Sequence, residues 1–199
     1  THLGINHLSH FFLTAHLLEV LLQTPQARVV SVASIAHRSA VIDMTDMMYK
    51  KNTMAYTPMK AYRRSKMANL LFAYELQRFF DKNNLNLLSV VAHPGISVTS
   101  LMRDYEKKWY LKPVKLLAYL FLQTASKGAL AIIRAAVDVE VKGGEYYGPA
   151  NKKQTRGYPV LVTSNEESYD ESLAKELWEY SEKAVGLSYA SILSILKEG

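Results

Sequence analysis

The chain has 199 residues, the length of one ordinary domain with a substantial core. Hydrophobic residues make up 49% and charged residues 21%, which excludes a disordered chain, and the absence of cysteine excludes disulfide frameworks, thiolate metal sites and cysteine nucleophiles. Lys+Arg number 24 against 18 Asp+Glu, and this modest excess of +6, interspersed with acidic residues, argues against a nucleic-acid-binding protein.

Residues 3 to 23 carry an apolar face at helical spacing (Leu3, Leu8, Phe11, Phe12, Ala15, Leu18, Leu22) that ends at Pro25. Arg28 to Ala33 reads as a short buried strand rich in β-branched residues. A loop of more than twenty residues follows, with Met44, Met47 and Met48, and loops of that length are often functional. Thr57-Pro58 starts a long helix, threonine as N-cap and proline in the first turn, which runs to about Phe80 and breaks at Asp81-Lys82-Asn83-Asn84. Asn86 to Ala92 is a second buried strand, stopped by His93-Pro94-Gly95. An aromatic-rich stretch leads to a helix near 126–137, a third strand follows Gly143-Gly144, and an amphipathic helix spans about 171–185. Helix alternating with buried strand predicts an α/β fold, a parallel sheet covered by helices on both faces, as one domain over 1–199. No stretch has the roughly 18 uninterrupted apolar residues of a membrane span. The lack of cysteine and of Asn-x-Ser/Thr sequons favours an intracellular chain.

Ligands of such sheets sit beyond the carboxyl ends of the strands, which directs attention to Ser34, His37, Pro94, Gly95 and Thr99. The strongest local signal is Tyr62-Arg63-Arg64-Ser65-Lys66: four residues apart on a helix, Tyr62 and Lys66 share a face. A free phenol is a poor acid–base group at neutral pH, and a neighbouring ammonium favours its ionised form, which suits proton transfer. With 13 tyrosines a chance match of the spacing is expected, and Tyr56-x-x-x-Lys60 is one, because Tyr56 precedes the helix that Pro58 starts. On spacing alone, an incidental surface pair is as good a reading of Tyr62 and Lys66. Ser34 by itself reads as a strand end or turn cap, Asn6 as an N-cap, and Pro94-Gly95 as a turn. His7, His10, His37 and His93 invite a metal reading, yet no carboxylate cluster accompanies them, so no metal is expected.

Taken in order, Asn6, Ser34, Tyr62 with Lys66, and Pro94-Gly95-x-x-x-Thr99 resemble the short-chain dehydrogenase/reductase family. The phrases Asn6-His7-Leu8-Ser9-His10-Phe11, Val32-Ala33-Ser34-Ile35-Ala36-His37, Tyr62-x-x-Ser65-Lys66-x-x-Asn69, Tyr146-Tyr147-Gly148-Pro149 and Gly157-Tyr158-Pro159 look most like its retinol-dehydrogenase-like branch. The resemblance covers nearly the whole chain and departs from the family at Ala33, where a serine is usual. It implies a Rossmann-type parallel sheet and an NAD- or NADP-dependent oxidoreductase that interconverts an alcohol and a carbonyl. Tyr62 would exchange the proton, and Lys66 would assist it and hold the nicotinamide ribose. Ser34 would hydrogen-bond the substrate oxygen, and Asn6 would anchor a water leading to Lys66. Pro94, Gly95, Ile96 and Thr99, with Tyr62 and Lys66, would contact the cofactor.

The family's Gly-rich turn, which receives the pyrophosphate at a helix N-terminus, has no counterpart in these residues. The start at Thr1 is neither an initiator methionine nor a signal peptide, so the expectation is a chain that begins inside its parent fold, about 80–110 residues in. Such a part would expose a strand edge, associate readily and lack turnover on its own. The segment at about 100–123, with Lys107-Lys108-Trp109-Tyr110, falls where the family places its substrate lid. It implies a lipophilic alcohol or carbonyl substrate and a possible peripheral membrane contact, beside the plainer reading of a helix packed on its own core. A homo-oligomer through the helices at 3–23 and 58–80 is implied for the full-length protein. The competing reading is a non-catalytic interaction protein that retains a dehydrogenase half-fold.

Overall fold

The computed structural model describes residues 2–98 and 123–198. Helix α1 (Ser9–His16) continues from a π-helical segment, Gly4–Leu8, and α2 (Leu18–Gln23) follows after a one-residue break. Strand β1 (Arg28–Val32) leads into the long loop, which is organised by three 3₁₀ turns, Ile35–Ser39, Met44–Asp46 and Thr53–Ala55. Helix α3 (Pro58–Lys82) starts as expected: the Thr57 hydroxyl accepts from Lys60 N–H at 3.2 Å, and Pro58 occupies the first turn, where no donor is needed. Strand β2 (Leu88–Ala92), the two-residue strands β3 (Ser97–Val98) and β4 (Gln123–Thr124), and helix α4 (Ala125–Val137) come next. Strands β5 (Tyr146–Pro149) and β6 (Pro159–Leu161) precede helices α5 (Glu171–Val185) and α6 (Tyr189–Glu198).

The main sheet has the order β1-β2-β5-β6. β1 pairs in parallel with β2 from Arg28–Leu88 to Val32–Ala92, and β5 joins β2 in parallel through Val91–Tyr146 and Ala92–Tyr147. β6 is antiparallel to β5, so the sheet is mixed where the sequence suggested parallel strands. The reversal is local: the side-chain oxygen of Asn151 accepts from the backbone N–H of Thr155 and Arg156, at 2.7 and 3.1 Å, which folds the connection into a hairpin that needs no crossover helix. β6 opens with Pro159, which is tolerated because this is an edge strand.

Alternation along β2 sends neighbouring side chains to opposite faces of the sheet. Val90 and Ala92 pack with Tyr147, Ala131 and Ala135 on the α4 face, while Val91 packs with Tyr146, Ala33, Leu70 and Ala73 on the α3 face. α3 is buried nearly all round from Arg64 to Tyr74, because the sheet lies on one side of it and α1, α5 and α6 on the other. Phe11, Phe72, Phe80 and Tyr189 form the centre of that second layer, and the Tyr189 hydroxyl donates to Phe11 C=O at 2.8 Å. α6 is absent from the sequence reading. Gly186, at φ +73°, ends α5 in the left-handed conformation, and the chain turns back to put Tyr189 into this aromatic core.

Candidate functional site

The site lies at the carboxyl ends of β1 and β2, beside the first turns of α3. Tyr62 and Lys66 stand on one face of α3, half-buried, with the Lys66 ammonium 5.9 Å from the centroid of the Tyr62 ring. Tyr56 follows the 3₁₀ turn Thr53–Ala55 and precedes the helix, so the second Tyr-x-x-x-Lys match does not form a one-face pair. Lys66 Nζ donates to Val32 C=O at 2.8 Å, and Asn69 Nδ2 donates to the same carbonyl at 3.1 Å. Burial pushes the Lys66 ammonium below the ordinary lysine range.

Ser34 follows β1 in an extended conformation and caps the next 3₁₀ turn, its hydroxyl oxygen accepting from Ala36 N–H at 3.2 Å. Used as an acceptor there, the hydroxyl keeps its proton to donate elsewhere, as an oxygen-gripping group must. The Ser34 carbonyl accepts from His37 Nδ1 at 2.6 Å and from the His37 backbone N–H at 3.0 Å. Asn6 sits in the π-helical segment, a distortion that frequently accompanies functional positions. Its amide donates to Ser65 Oγ at 3.0 Å, and Ser65 donates to Tyr62 C=O at 2.7 Å, so the segment is tied to the turn that carries Tyr62. The Asn6 carbonyl accepts from His10 Nδ1 at 3.0 Å.

On the other side stands the turn His93-Pro94-Gly95-Ile96. Gly95 is left-handed at φ +66°, and a Cβ there would lie 2.4 Å from Thr155 O, so only glycine fits. Gly95 N–H donates to His93 Nδ1 at 3.2 Å, and Ile96 N–H donates to Thr155 C=O at 2.8 Å. Ile96 is exposed and Pro94 half-buried. Thr99 and the expected lid segment up to residue 122 lie outside the described residues.

The four histidines of interest are held by hydrogen bonds. His7 Nε2 bonds Ser181 Oγ at 2.8 Å, and burial, helped by the charge of His10, pushes it down to about 3. His93 is pushed down to about 4, chiefly by burial, and His37 is lowered for the same reason. Among the described residues, no group of three or more His, Asp or Glu could hold a metal ion, and no helix is long and apolar enough to cross a membrane.

The residues present fit the nicotinamide-riboside end of a dinucleotide. A lysine ammonium and a tyrosine hydroxyl are donors suited to ribose hydroxyls, and the exposed Ile96 beside a pinned turn offers apolar surface to a ring. In the sequence Ser65 and Asn69 stand only as parts of a motif; the structure gives each a tie. Gln123 carries no local signal, and Gly148 stands in the sequence only within the motif Tyr146-Tyr147-Gly148-Pro149.

No protein-family model matches the chain. It is 35% identical to retinol dehydrogenase 14 of Homo sapiens over 92% of its own length and 52% of that protein's. It is 32% identical to polyprenol dehydrogenase of Homo sapiens, over 94% of this chain and 54% of the relative. The crystal structure of an uncharacterized protein from Mycobacterium Paratuberculosis superposes with a TM-score of 0.71 at 31% identity, covering 94% of this chain and 59% of that one. The chain therefore spans about half the length of the curated relatives it matches.

Proposed function

From the premise that the chain is related in sequence and fold to the short-chain dehydrogenases/reductases of the retinol-dehydrogenase-like branch, we propose that the whole polypeptide carrying it is an NAD- or NADP-dependent oxidoreductase. Its substrate is a lipophilic alcohol or carbonyl compound. The observation that carries this reading is the Tyr62–Lys66 pair on one face of α3 at the carboxyl end of the sheet.

Tyr62 exchanges a proton at the substrate oxygen. The Lys66 ammonium, anchored on Val32 C=O, stabilises the phenolate that the transfer leaves. Ser34 donates its hydroxyl proton in a hydrogen bond to the same oxygen, opposing the charge that develops there. Asn6, through Ser65, holds the turn that presents Tyr62, and it anchors a water leading to Lys66. Pro94, Gly95, Ile96 and Thr99, with Tyr62 and Lys66, hold the nicotinamide end of the cofactor, whose chemistry is hydride exchange with the substrate carbon. Exposed Phe12 and Leu13 on α1, Leu17 at the break and Val20 on α2 support a homo-oligomer through these helices. Contact with a membrane surface would rest on residues outside the described ones.

Purified whole polypeptide with NADH or NADPH should reduce apolar aldehydes and ketones in preference to sugars. Tyr62→Phe should lower kcat about a thousandfold, the scale of a lost general acid, while cofactor binding persists. Residual activity within tenfold of the parent, or a preference for sugars, overturns the reading. The 199 residues alone, which contain no Gly-rich pyrophosphate turn, should show no measurable turnover.

A further inference from the structure

We propose that Gln123 is a positioning residue for the nicotinamide end, because it bonds both ends of the Pro94-Gly95-Ile96 turn. This rests on the oxidoreductase reading above and adds a residue to it. Gln123 opens β4 and is 5% exposed. Its side-chain nitrogen donates to Pro94 C=O at 2.5 Å, and its side-chain oxygen accepts from Gly157 N–H at 3.1 Å. Its own backbone N–H donates to Ile96 C=O at 3.1 Å. One residue thus takes the Pro94 and Ile96 carbonyls and ties them to the β5–β6 hairpin.

A primary amide is required for this double role. A carbonyl stands at one end and an N–H at the other, so only a group with a donor and an acceptor side by side satisfies both. Leucine matches the size and supplies neither. Glutamate keeps the acceptor for Gly157 and loses the donor for Pro94. Asparagine is one methylene too short to span the same two groups. The backbone donors of the turn are committed elsewhere: Gly95 N–H to His93 Nδ1, and Ile96 N–H to Thr155 C=O. Since the left-handed Gly95 is the position where the backbone departs from its ordinary conformations, the turn depends on being held from several sides at once. Removal of the Gln123 amide takes its donor from the Pro94 carbonyl and unties the turn from Gly157, which loosens the surface offered to the nicotinamide ring.

The test uses the whole polypeptide with Gln123→Leu and Gln123→Glu, NADH and NADPH as probes, and two readouts. Steady-state kinetics and cofactor titration should give a KM and Kd for the preferred cofactor raised roughly tenfold in both variants, the scale of one buried hydrogen bond lost, with kcat changed less than about threefold. Amide hydrogen exchange should show Gly157 deprotected in Gln123→Leu and protected in Gln123→Glu. A residue that merely fastens the hairpin would be rescued by glutamate in both readouts, and that result overturns the proposal. Cofactor affinity within about twofold of the parent in Gln123→Leu overturns it as well. If the parent polypeptide itself binds neither NADH nor NADPH, the oxidoreductase reading fails, and this inference with it. That outcome is recognised without either variant.

Discussion

On one side of the site, Tyr62, Ser65, Lys66 and Asn69 stand within two turns of a single helix, and their ties run to Asn6 and to the end of β1. On the other side, the turn at Pro94-Gly95-Ile96 is held by His93, Gln123 and Thr155, the last two far along the chain. The helix side inherits its geometry from the i,i+4 repeat, so a local change there moves one side chain. The turn side has no repeat to rely on and is determined by close contacts with residues of β4 and the β5–β6 hairpin. A substitution should therefore alter chemistry on the helix side and alter shape and stability on the turn side.

The sharpest way to break that contrast is Gly148→Ala. Gly148, in β5, faces His93: an added Cβ would lie 2.1 Å from His93 Nε2 and 2.6 Å from its Cδ2. His93 is fully buried and its other ring nitrogen already accepts from Gly95 N–H, so the ring has little freedom to yield. The expected loss is about 1–3 kcal/mol of unfolding free energy, the cost of overpacking, read from urea denaturation. An unchanged midpoint would mean that the turn side has slack and that the two halves are alike.

The helix side was also the legible one. Thr57-Pro58 announces the start of α3, the spacing of Tyr62 and Lys66 puts them on one face, and the β-branched runs mark β1 and β2. Short elements escaped: β6 has three residues, and α6 follows so soon after Gly186 that the glycine reads as the end of the pattern. The π-helical segment at Asn6 differs from an ordinary helix by one residue in its hydrogen-bond step, and side-chain type does not record that shift. Gln123 was invisible for another reason. Its meaning comes from a partner 29 residues earlier and another 34 residues later, and a lone glutamine carries no periodicity to betray either.

Two buried imidazoles, one per side, allow a direct comparison by pH. His7 lies behind Asn6 with His10 near it; His93 lies under the turn, facing His37, Arg38 and Gln154. Their native values of about 3 and about 4 lie below the ordinary 6.5. The unfolded chain therefore takes up protons that the native chain does not as pH falls below 6.5, and stability drops across that window, towards about 4 for His93 and about 3 for His7. Each ring contributes at most about 1.4 kcal/mol per pH unit, and none above the ordinary value. Unfolding free energies between about pH 7 and about pH 5 should fall, and His93→Gln, compared at each pH, should lessen the slope. A flat profile in the parent contradicts the burial of both rings.

The smallest expected effect lies on the helix side. Thr57 caps α3 by accepting from Lys60 N–H, one turn before Tyr62. Thr57→Ala leaves that N–H without its partner at an exposed helix end, where water replaces the hydroxyl at a cost of about 1 kcal/mol. The cap does not set the orientation of Tyr62, because Ser65 holds the Tyr62 carbonyl from below and Lys66 is fastened to Val32. Denaturation should therefore register the lost cap while kcat stays within about twofold of the parent, since the energy is spent in the first turn and not at the phenol. If kcat instead falls with stability, the helix side depends on remote support as the turn side does.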